Sequence, residues 1–254
     1  MLTGLAYPMT HVDGDTLLVE LLYEQEARLD EGQLLAGVNK ILSRTVRAGD
    51  DGQPMLLASY GHPSDPARID LSQTWGFPEA RRVLDRCQAV MTIGERFGGP
   101  FPPAQRLDAF RAAVLAVCRL TTPAAAWWPT ASQLLPPPSP AGLPLMGLLN
   151  VRLSRVEGSN QDVVMDTLGL QVFGLPDLQC HCHDLELPRL AAYLRNAGNY
   201  IFERGDVIRD GDTIEGMQPG EKWRCLQEKA LIPPGRLVID LDPGERYGAG
   251  QRFR

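Results

Sequence analysis

The chain has 254 residues, of which 44% are apolar and 22% are charged, and its formal net charge is −6. This length predicts one large domain or two small ones and is sufficient to bury a core. No apolar run is long enough to span a membrane, and no lysine-rich or arginine-rich block favours nucleic acid, so we predict neither partner. The N-terminus has no basic region ahead of an apolar stretch, so we expect a cytoplasmic protein. Five cysteines, an odd number, predict reduced thiols rather than a disulfide framework.

The N-terminal half alternates predicted strands with predicted helices. In chain order we predict a strand at 16–24, a helix at 33–46, a strand at 54–60, a helix at 77–87, a strand at 89–97, a helix at 101–120 and a strand at 122–128. The helix at 101–120 is the clearest, and its predicted buried stripe consists of Leu107, Phe110, Val114, Leu115, Val117 and Cys118. This alternation predicts helices packed on a sheet.

A proline-rich segment follows at 129–144. Its six prolines are Pro129, Pro136, Pro137, Pro138, Pro140 and Pro144. Because proline disfavours both helix interiors and central strands, we predict a linker or an extended crossover here. The chain is then divided into an N-terminal α/β subdomain at 1–128 and a C-terminal α+β subdomain at 145–254.

The C-terminal part combines strands with one amphipathic helix. We predict strands within 145–158, within 159–187 and within 206–241, with the helix at 187–205 between them. Arg152 and Ser154 alternate with apolar neighbours, and the inner face of the helix is predicted to consist of Leu187, Leu190, Ala191, Leu194 and Ala197. The predicted fold class is α+β, with two mixed α/β subdomains of ferredoxin-like character and helices packed on antiparallel or mixed sheets.

Three stretches of the C-terminal part carry a resemblance to a known family. They are Asp166–Gln179, with Asp177 at a position where an acidic residue is usual, then Leu194–Gly216, which contains Tyr200, and then the strand in PPGRLVIDL. These stretches resemble the bacterial family named domain of unknown function 4261, and the strand AVMTIGERF with its following helix adds a likeness in the first half. The resemblance implies a bacterial α+β protein, often encoded among secretion-system or toxin–immunity genes, and it implies no catalytic residues.

The tetrapeptide Asp-Gly-Asp-Thr occurs twice, at Asp13–Thr16 and at Asp210–Thr213. Two carboxylates one residue apart suit a hard cation, but neither copy continues with the further oxygen ligands and terminal glutamate of a calcium loop. Asp-Gly is also a strong turn signal, because glycine adopts positive φ without steric cost. We therefore interpret both copies as turns that lead into strands, and an internal repeat is the alternative.

The stretch Cys180, His181, Cys182 and His183 contains residue types that bind zinc. On a strand, the cysteines point to one face and the histidines to the other, so each face offers at most two ligands. The same alternation separates a cysteine nucleophile from a histidine base. We therefore predict no metal and no cofactor, with these four residues as the candidates if a metal binds.

With no assembled catalytic constellation in the sequence, we predict a non-catalytic protein. The expected function is an immunity protein that neutralises a secreted toxin, or an adaptor for a secretion effector, with a protein as its partner. The expected partner contacts are Asp210, Asp212, Trp127, Trp128 and His183. Two alternatives are a hydrolase or metal-dependent enzyme that uses Cys, His or Asp residues of the C-terminal sheet, and a structural component of a larger assembly.

Overall fold

The computed structural model describes nine stretches of the chain, namely residues 2–4, 16–25, 31–45, 55–61, 69–96, 101–142, 145–156, 158–159 and 161–250. The chain divides into two compact units, Met1–Leu148 and Leu149–Arg254. Each unit has its own six-stranded sheet, and each is described by itself below.

Unit 1 contains strands and helices in alternation. They are β1 (Leu2–Gly4), β2 (Leu18–Tyr23), α1 (Glu31–Thr45), β3 (Met55–Gly61), α2 (Ala80–Leu84), β4 (Ala89–Arg96), α3 (Pro103–Thr121), β5 (Ala125–Trp128) and β6 (Gln133–Leu135). The sheet order is β1-β3-β4-β2-β5-β6, with β1 parallel to β3 and every other neighbouring pair antiparallel. The segment β2-α1-β3-β4-α3-β5 forms the four central strands in the order β3-β4-β2-β5, which is the ferredoxin-like arrangement.

Helix α3 confirms the predicted amphipathic pattern at most positions. It begins with Pro103 in its first turn and ends at Thr121, and the following C-cap residue, Thr122, has a φ of 48°. Its buried residues are Leu107, Ala109, Phe110, Ala113, Val114, Ala116, Val117 and Thr121. Leu115 and Cys118, which were predicted to be in the stripe, are only half-buried because they lie at its margin.

Both adjacent tryptophans of β5 are buried, which corrects their prediction as partner contacts. Trp128 is 3% exposed and makes an edge contact with Phe110 of α3, with ring centroids 6.4 Å apart. Trp127 is 8% exposed and belongs to a core cluster that includes Phe77 and Leu84. The two rings face opposite sides of the strand as alternation requires, but apolar residues cover both sides. Neither ring is therefore available to a partner in this conformation.

Part of the proline-rich segment joins the unit 1 sheet. A one-turn 3-10 helix at Pro129–Ala131 follows β5. Strand β6 then pairs with β5, with Leu135 opposite Ala126, Leu134 opposite Trp127 and Gln133 opposite Trp128. The strand has three residues and lies at the edge of the sheet, which is where proline-flanked strands are tolerated.

Unit 2 consists of two antiparallel three-stranded meanders and one helix. Its elements are β7 (Asn150–Arg155), β8 (Val163–Leu168), a 3-10 helix at Leu170–Phe173, β9 (Asp177–Cys182), α4 (Leu187–Arg204), β10 (Thr213–Glu215), β11 (Lys222–Lys229) and β12 (Leu237–Asp242). The order is β10-β11-β12-β9-β8-β7, and the parallel pair β9 and β12 joins the two meanders. The α+β class is confirmed for both units, whereas the ferredoxin-like strand order applies to unit 1 alone, because unit 2 connects its meanders with a single long helix.

Helix α4 packs on unit 2 through a narrow apolar line. Its buried residues are Leu190, Leu194, Gly198 and Ile201. Leu187, Ala191 and Ala197, predicted on the inner face, are half-buried, so the buried line is rotated slightly from the predicted one. A Cβ atom on Gly198 would lie 2.9 Å from Leu149 Cδ2, so glycine is required for this close approach. Tyr193 extends from the helix to Trp223 of β11, with ring centroids 4.9 Å apart.

Candidate functional site

A row of polar side chains crosses four neighbouring strands of unit 2. Strand register places Arg152 of β7 opposite Asp166 of β8, Asp166 opposite Gln179 of β9, and Gln179 opposite Asp240 of β12. Residues directly opposite each other point to the same face of a sheet. All four are buried, from 0% exposed for Gln179 and Asp240 to 8% for Arg152.

Two arginines bind the carboxylate of Asp166. Arg152 donates to both carboxylate oxygens, from Nε to Oδ1 at 3.0 Å and from Nη2 to Oδ2 at 2.5 Å. Arg236, in the connection between β11 and β12, donates from Nη2 to Asp166 Oδ2 at 2.7 Å. Arg–carboxylate pairs with two parallel hydrogen bonds are among the stronger polar contacts in proteins.

The guanidinium of Arg236 uses all five of its N–H groups. Besides Asp166 it donates from Nε to Asp177 Oδ2 at 3.1 Å and from Nη2 to the carbonyl oxygen of Thr167 at 2.8 Å. The two Nη1 hydrogens bind the carbonyl oxygens of Ile232 and Pro234 at 3.1 and 3.0 Å. With its side chain 1% exposed, this arginine is a fully satisfied buried cation.

The buried carboxylate of Asp177 accepts four hydrogen bonds. The donors are the Thr167 hydroxyl at 3.0 Å, the Leu170 and Gly169 N–H groups at 3.2 and 3.3 Å, and Arg236. Desolvation raises the pKa of the Asp177 carboxyl, and the charge of Arg236 and these hydrogen bonds act in the opposite direction. The acidic residue of the family-like motif is therefore an acceptor inside the fold.

The four charged residues Arg152, Asp166, Asp177 and Arg236 form what we call the buried charge network. Two positive and two negative charges balance within it, and its members lie on three strands and one loop. Removing one partner of a buried ion pair leaves an uncompensated charge, so such a network tolerates little change. Its carboxylate oxygens accept hydrogen bonds from arginines, backbone N–H groups and the Thr167 hydroxyl, which is the arrangement of a scaffold.

The cysteine–histidine stretch divides between the two faces of β9 as predicted. Cys180 and Cys182 are fully buried. His181 faces the C-terminal segment, since a Cβ atom on Gly250 would lie 2.9 Å from its Nδ1. His183 lies after the strand, with its Nδ1 3.1 Å from Asp184 Oδ2. Within β9, His181 therefore lies on the opposite face from Cys180 and Cys182.

Cys225 does not complete a metal site with this stretch. It lies on β11 opposite Leu241 of β12, two strands away from β9, which is a separation of about 10 Å. Among the residues that the structure describes, no group of three or more His, Cys, Asp or Glu side chains could hold a metal ion.

We expect Cys225 to react slowly with alkylating reagents. Burial raises the pKa of its thiol from 9.0 to about 11, which lowers the thiolate fraction near neutral pH by about 100-fold. Iodoacetamide labelling followed by peptide mass spectrometry should show that Cys225 reacts at least about 100-fold more slowly in the native chain than in denaturant. Cys87, whose pKa is also raised to about 11 but which is half-buried, should be labelled before Cys225. Rapid labelling of Cys180 or Cys225 in the native chain would instead favour a reactive cysteine.

The second Asp-Gly-Asp-Thr sequence is a turn, as interpreted from the sequence. Gly211 has a φ of 84°, and the Asp212 N–H donates to the Arg209 carbonyl oxygen at 3.1 Å. The Asp212 carboxylate accepts the Arg209 N–H at 2.7 Å, and the Asp210 carboxylate accepts the Gln227 N–H of β11 at 2.8 Å. The turn leads directly into β10, which begins at Thr213. The aspartates of the first copy, Asp13 and Asp15, lie outside the described residues.

The turn interpretation predicts that calcium does not stabilise the protein. A cation whose Kd lies well below its concentration would add a few kcal/mol to the free energy of unfolding. Because a turn binds no such cation, we expect millimolar calcium or a chelator to shift the melting temperature by less than about 1 °C. Replacing Gly211 with alanine should cost about 1–2 kcal/mol, because alanine is strained at positive φ. Asp212→Asn, which keeps an acceptor for the Arg209 N–H, should stay within about 0.5 kcal/mol. A calcium-dependent rise in melting temperature that Asp212→Asn abolishes would contradict the turn interpretation.

No helix among the described residues is long and apolar enough to cross a membrane. The comparisons with known proteins give one match. Residues 166–242 match the family model described as Domain of unknown function (DUF4261). We call residues 166–242 the matched segment. No curated protein and no solved structure matches the chain.

The matched segment contains three of the four residues of the buried charge network. Asp166 and Asp177 lie in the first stretch that carried the resemblance, and Arg236 lies in the last one. The similarity to this family therefore covers the residues that hold β8, β9 and the loop before β12 together. No signal in the sequence predicted that Arg152, which lies outside the matched segment, or Asp240 would belong to the same polar row.

Proposed function

We propose that this chain is a non-catalytic protein-binding protein of the bacterial cytoplasm. In this proposal it is an immunity protein that neutralises a secreted toxin, or an adaptor for a secretion-system effector. The observation that carries the proposal is that the charged side chains at the centre of the matched segment bind one another inside the fold. Asp166 and Asp177 are each 1% exposed and bind arginines, so they support the fold rather than contact a substrate.

An inhibitor or adaptor of this kind acts by covering a surface of its partner. Specificity then depends on exposed side chains held by a rigid scaffold, and the buried charge network supplies such rigidity in unit 2. The exposed acidic residues Asp210 and Asp212 and the half-buried His183 remain predicted contacts in this proposal. Acidic residues on the surface would accelerate encounter with a basic partner.

The test is affinity capture of the tagged full chain from its native cytosol, with mass spectrometry of what co-purifies. The tag alone serves as the control. A stoichiometric partner that is toxic when expressed alone, and harmless when co-expressed with this chain, is the result expected of an immunity protein. Stoichiometric secretion-apparatus subunits or effectors are the result expected of an adaptor. If the chain returns alone and the purified protein hydrolyses a substrate in a reaction that Asp240→Asn abolishes, the binding proposal is overturned in favour of the enzyme alternative.

A further inference from the structure

The indole of Trp223 is enclosed beside the hairpin that joins β10 and β11. Trp223 is fully buried, and Tyr193 of α4 packs against its ring. Its Nε1 atom carries the only polar hydrogen of the side chain, and this atom has no hydrogen-bond partner among the residues that the structure describes. Buried donors in folded proteins are almost always bound, either to a protein acceptor or to an ordered water. The indole N–H of Trp223 therefore requires an acceptor that the described side chains do not supply.

Glycine at position 216 leaves room directly beside this N–H group. Strand register places Ile214 opposite Trp223, and residue 216, two positions further along, is directed to the same face as the indole. A Cβ atom on Gly216 would lie 2.5 Å from Trp223 Nε1 and 2.6 Å from Glu221 Oε2. Because any side chain would collide with both polar atoms, only glycine fits here without movement of its neighbours.

The position beside Gly216 joins a donor and an acceptor. Both distances are measured from one point, so Trp223 Nε1 and Glu221 Oε2 are no more than 5.1 Å apart, which is the sum of the two distances. One oxygen atom can bind two polar atoms at ordinary hydrogen-bond lengths if they are less than about 5.6 Å apart. Glu221 Oε2 also accepts the Gln218 N–H at 3.0 Å, which holds the carboxylate in this place. A single bridging oxygen, slightly displaced from the Cβ position, therefore satisfies the indole.

The two groups determine the chemistry of what binds between them. The indole nitrogen of Trp223 is a donor only, so it cannot be a ligand to a metal cation. The negative charge of the Glu221 carboxylate repels an anion. The ligand must then be small and neutral, must accept one hydrogen bond and must donate another. Water has both capacities, and buried waters typically bind such otherwise unsatisfied polar groups.

Helix α4 fixes the hairpin around this position. The Tyr193 hydroxyl donates to the Glu215 carbonyl oxygen at 2.7 Å, and Arg189 Nη2 donates to the Met217 carbonyl oxygen at 3.1 Å. These two bonds flank Gly216 along the chain, so the backbone of the site is held from both sides. The donor and the acceptor are therefore preorganised before a ligand arrives, which lowers the entropic cost of binding.

We propose that Trp223, Glu221 and Gly216 form a binding site for one internal water molecule. The water accepts a hydrogen bond from the Trp223 indole and donates one to the Glu221 carboxylate. It links the buried core of unit 2 to the hairpin at 216–221. The site lies within the matched segment and is independent of the proposed binding function, because it requires no partner protein.

The test is an NMR measurement of magnetisation transfer from water to the indole N–H groups of the purified full chain, with isotope-labelled tryptophan. Trp223→Phe assigns the Trp223 signal, and Trp75, which is 53% exposed, reports on contact with bulk water. We expect water NOE and ROE signals of opposite sign at the Trp223 N–H, which is the mark of a long-lived bound water. Direct hydrogen exchange gives the same sign in both experiments, and bulk water at Trp75 should not give the signature of a bound water.

Three variants locate the water at this position. Glu221→Leu removes the acceptor, and Gly216→Ala fills the position while the Gln218 N–H keeps its acceptor, so each should reduce the Trp223 water signal by at least about 5-fold. Glu221→Gln keeps an acceptor oxygen and should stay within about 2-fold of the wild-type signal. Backbone amide shifts of β11 show whether each variant keeps its hairpin. If Gly216→Ala unfolds it, the comparison of Glu221→Leu with Glu221→Gln decides.

Each other outcome overturns the inference. If the wild-type chain gives no water signal at Trp223, no long-lived water is bound there. If the signal is absent and the Trp223 N–H shift changes strongly in Glu221→Gln, the carboxylate binds the indole directly. A water signal that is unchanged in Glu221→Leu would place the water elsewhere in the core. The proposed binding function is tested by affinity capture alone, so the failure of one proposal is distinguishable from the failure of the other.

Discussion

Replacing Arg236 with methionine is expected to lower the free energy of unfolding of unit 2 by about 3–5 kcal/mol. The substitution removes five hydrogen bonds and leaves the Asp177 carboxylate buried without its cationic partner. Arg236→Lys should be nearly as damaging, because an ammonium group has three donors and cannot reproduce the planar fork of a guanidinium. Hydrogen exchange of peptides from β8 and β9, followed across a denaturant series, would measure the change within unit 2.

Two further variants make this prediction specific. Arg209→Met removes an exposed ion pair with Asp206, whose atoms are 3.6 Å apart, and should change the stability by less than about 0.5 kcal/mol. Adding Asp177→Asn to Arg236→Met neutralises the stranded carboxylate and should restore at least about 1 kcal/mol. If Arg236→Met costs less than about 1 kcal/mol, or if the second substitution makes it worse, the buried charge network does not stabilise unit 2 as described.

Replacing Gly147 with alanine is expected to destabilise unit 1 by about 3–5 kcal/mol, through two effects of about 1–3 kcal/mol each. Gly147 has a φ of 88°, where alanine is strained, and a Cβ atom there would lie 2.1 Å from Cε2 of Trp128. The indole of Trp128 also packs against the ring of Phe110, so it cannot move away freely. The measurement is hydrogen exchange of peptides from β5 and α3, compared with the wild-type chain.

Gly158→Ala is the matched control for the strain at positive φ. Gly158 has a φ of 82° and no atom within 4 Å of an added Cβ, so this variant shows the cost of the backbone conformation alone. We expect that cost, measured on peptides of unit 2, to be about 1–2 kcal/mol. Equal losses for the two variants would mean that the contact with Trp128 contributes nothing, and the close approach would then not be the reason for glycine at 147.

Gly211 and Gly147 differ in how well the sequence predicts their conformations. Gly211 was predicted to adopt a turn conformation because Asp-Gly is a local signal that needs no distant partner. Gly147 has no such signal, because its requirement comes from the indole of Trp128, which the fold places against it. Trp127 and Trp128 follow the same logic, since the sequence predicted opposite faces but not that both faces would be covered.

The sequence by itself determined the α+β class, the helices α3 and α4, and the use of Asp-Gly-Asp-Thr as a turn, because helical spacing and turn residues act over a few neighbouring positions. It also placed the two cysteines of β9 and His181 on opposite faces, since strand alternation is local. Only the tertiary structure decided that Arg152, Asp166, Gln179 and Asp240 form one row, because strand register joins residues that are far apart in the chain. The inward direction of Arg236 was likewise decided by the fold, since its five partners come from two strands and a loop that the sequence alone does not bring together.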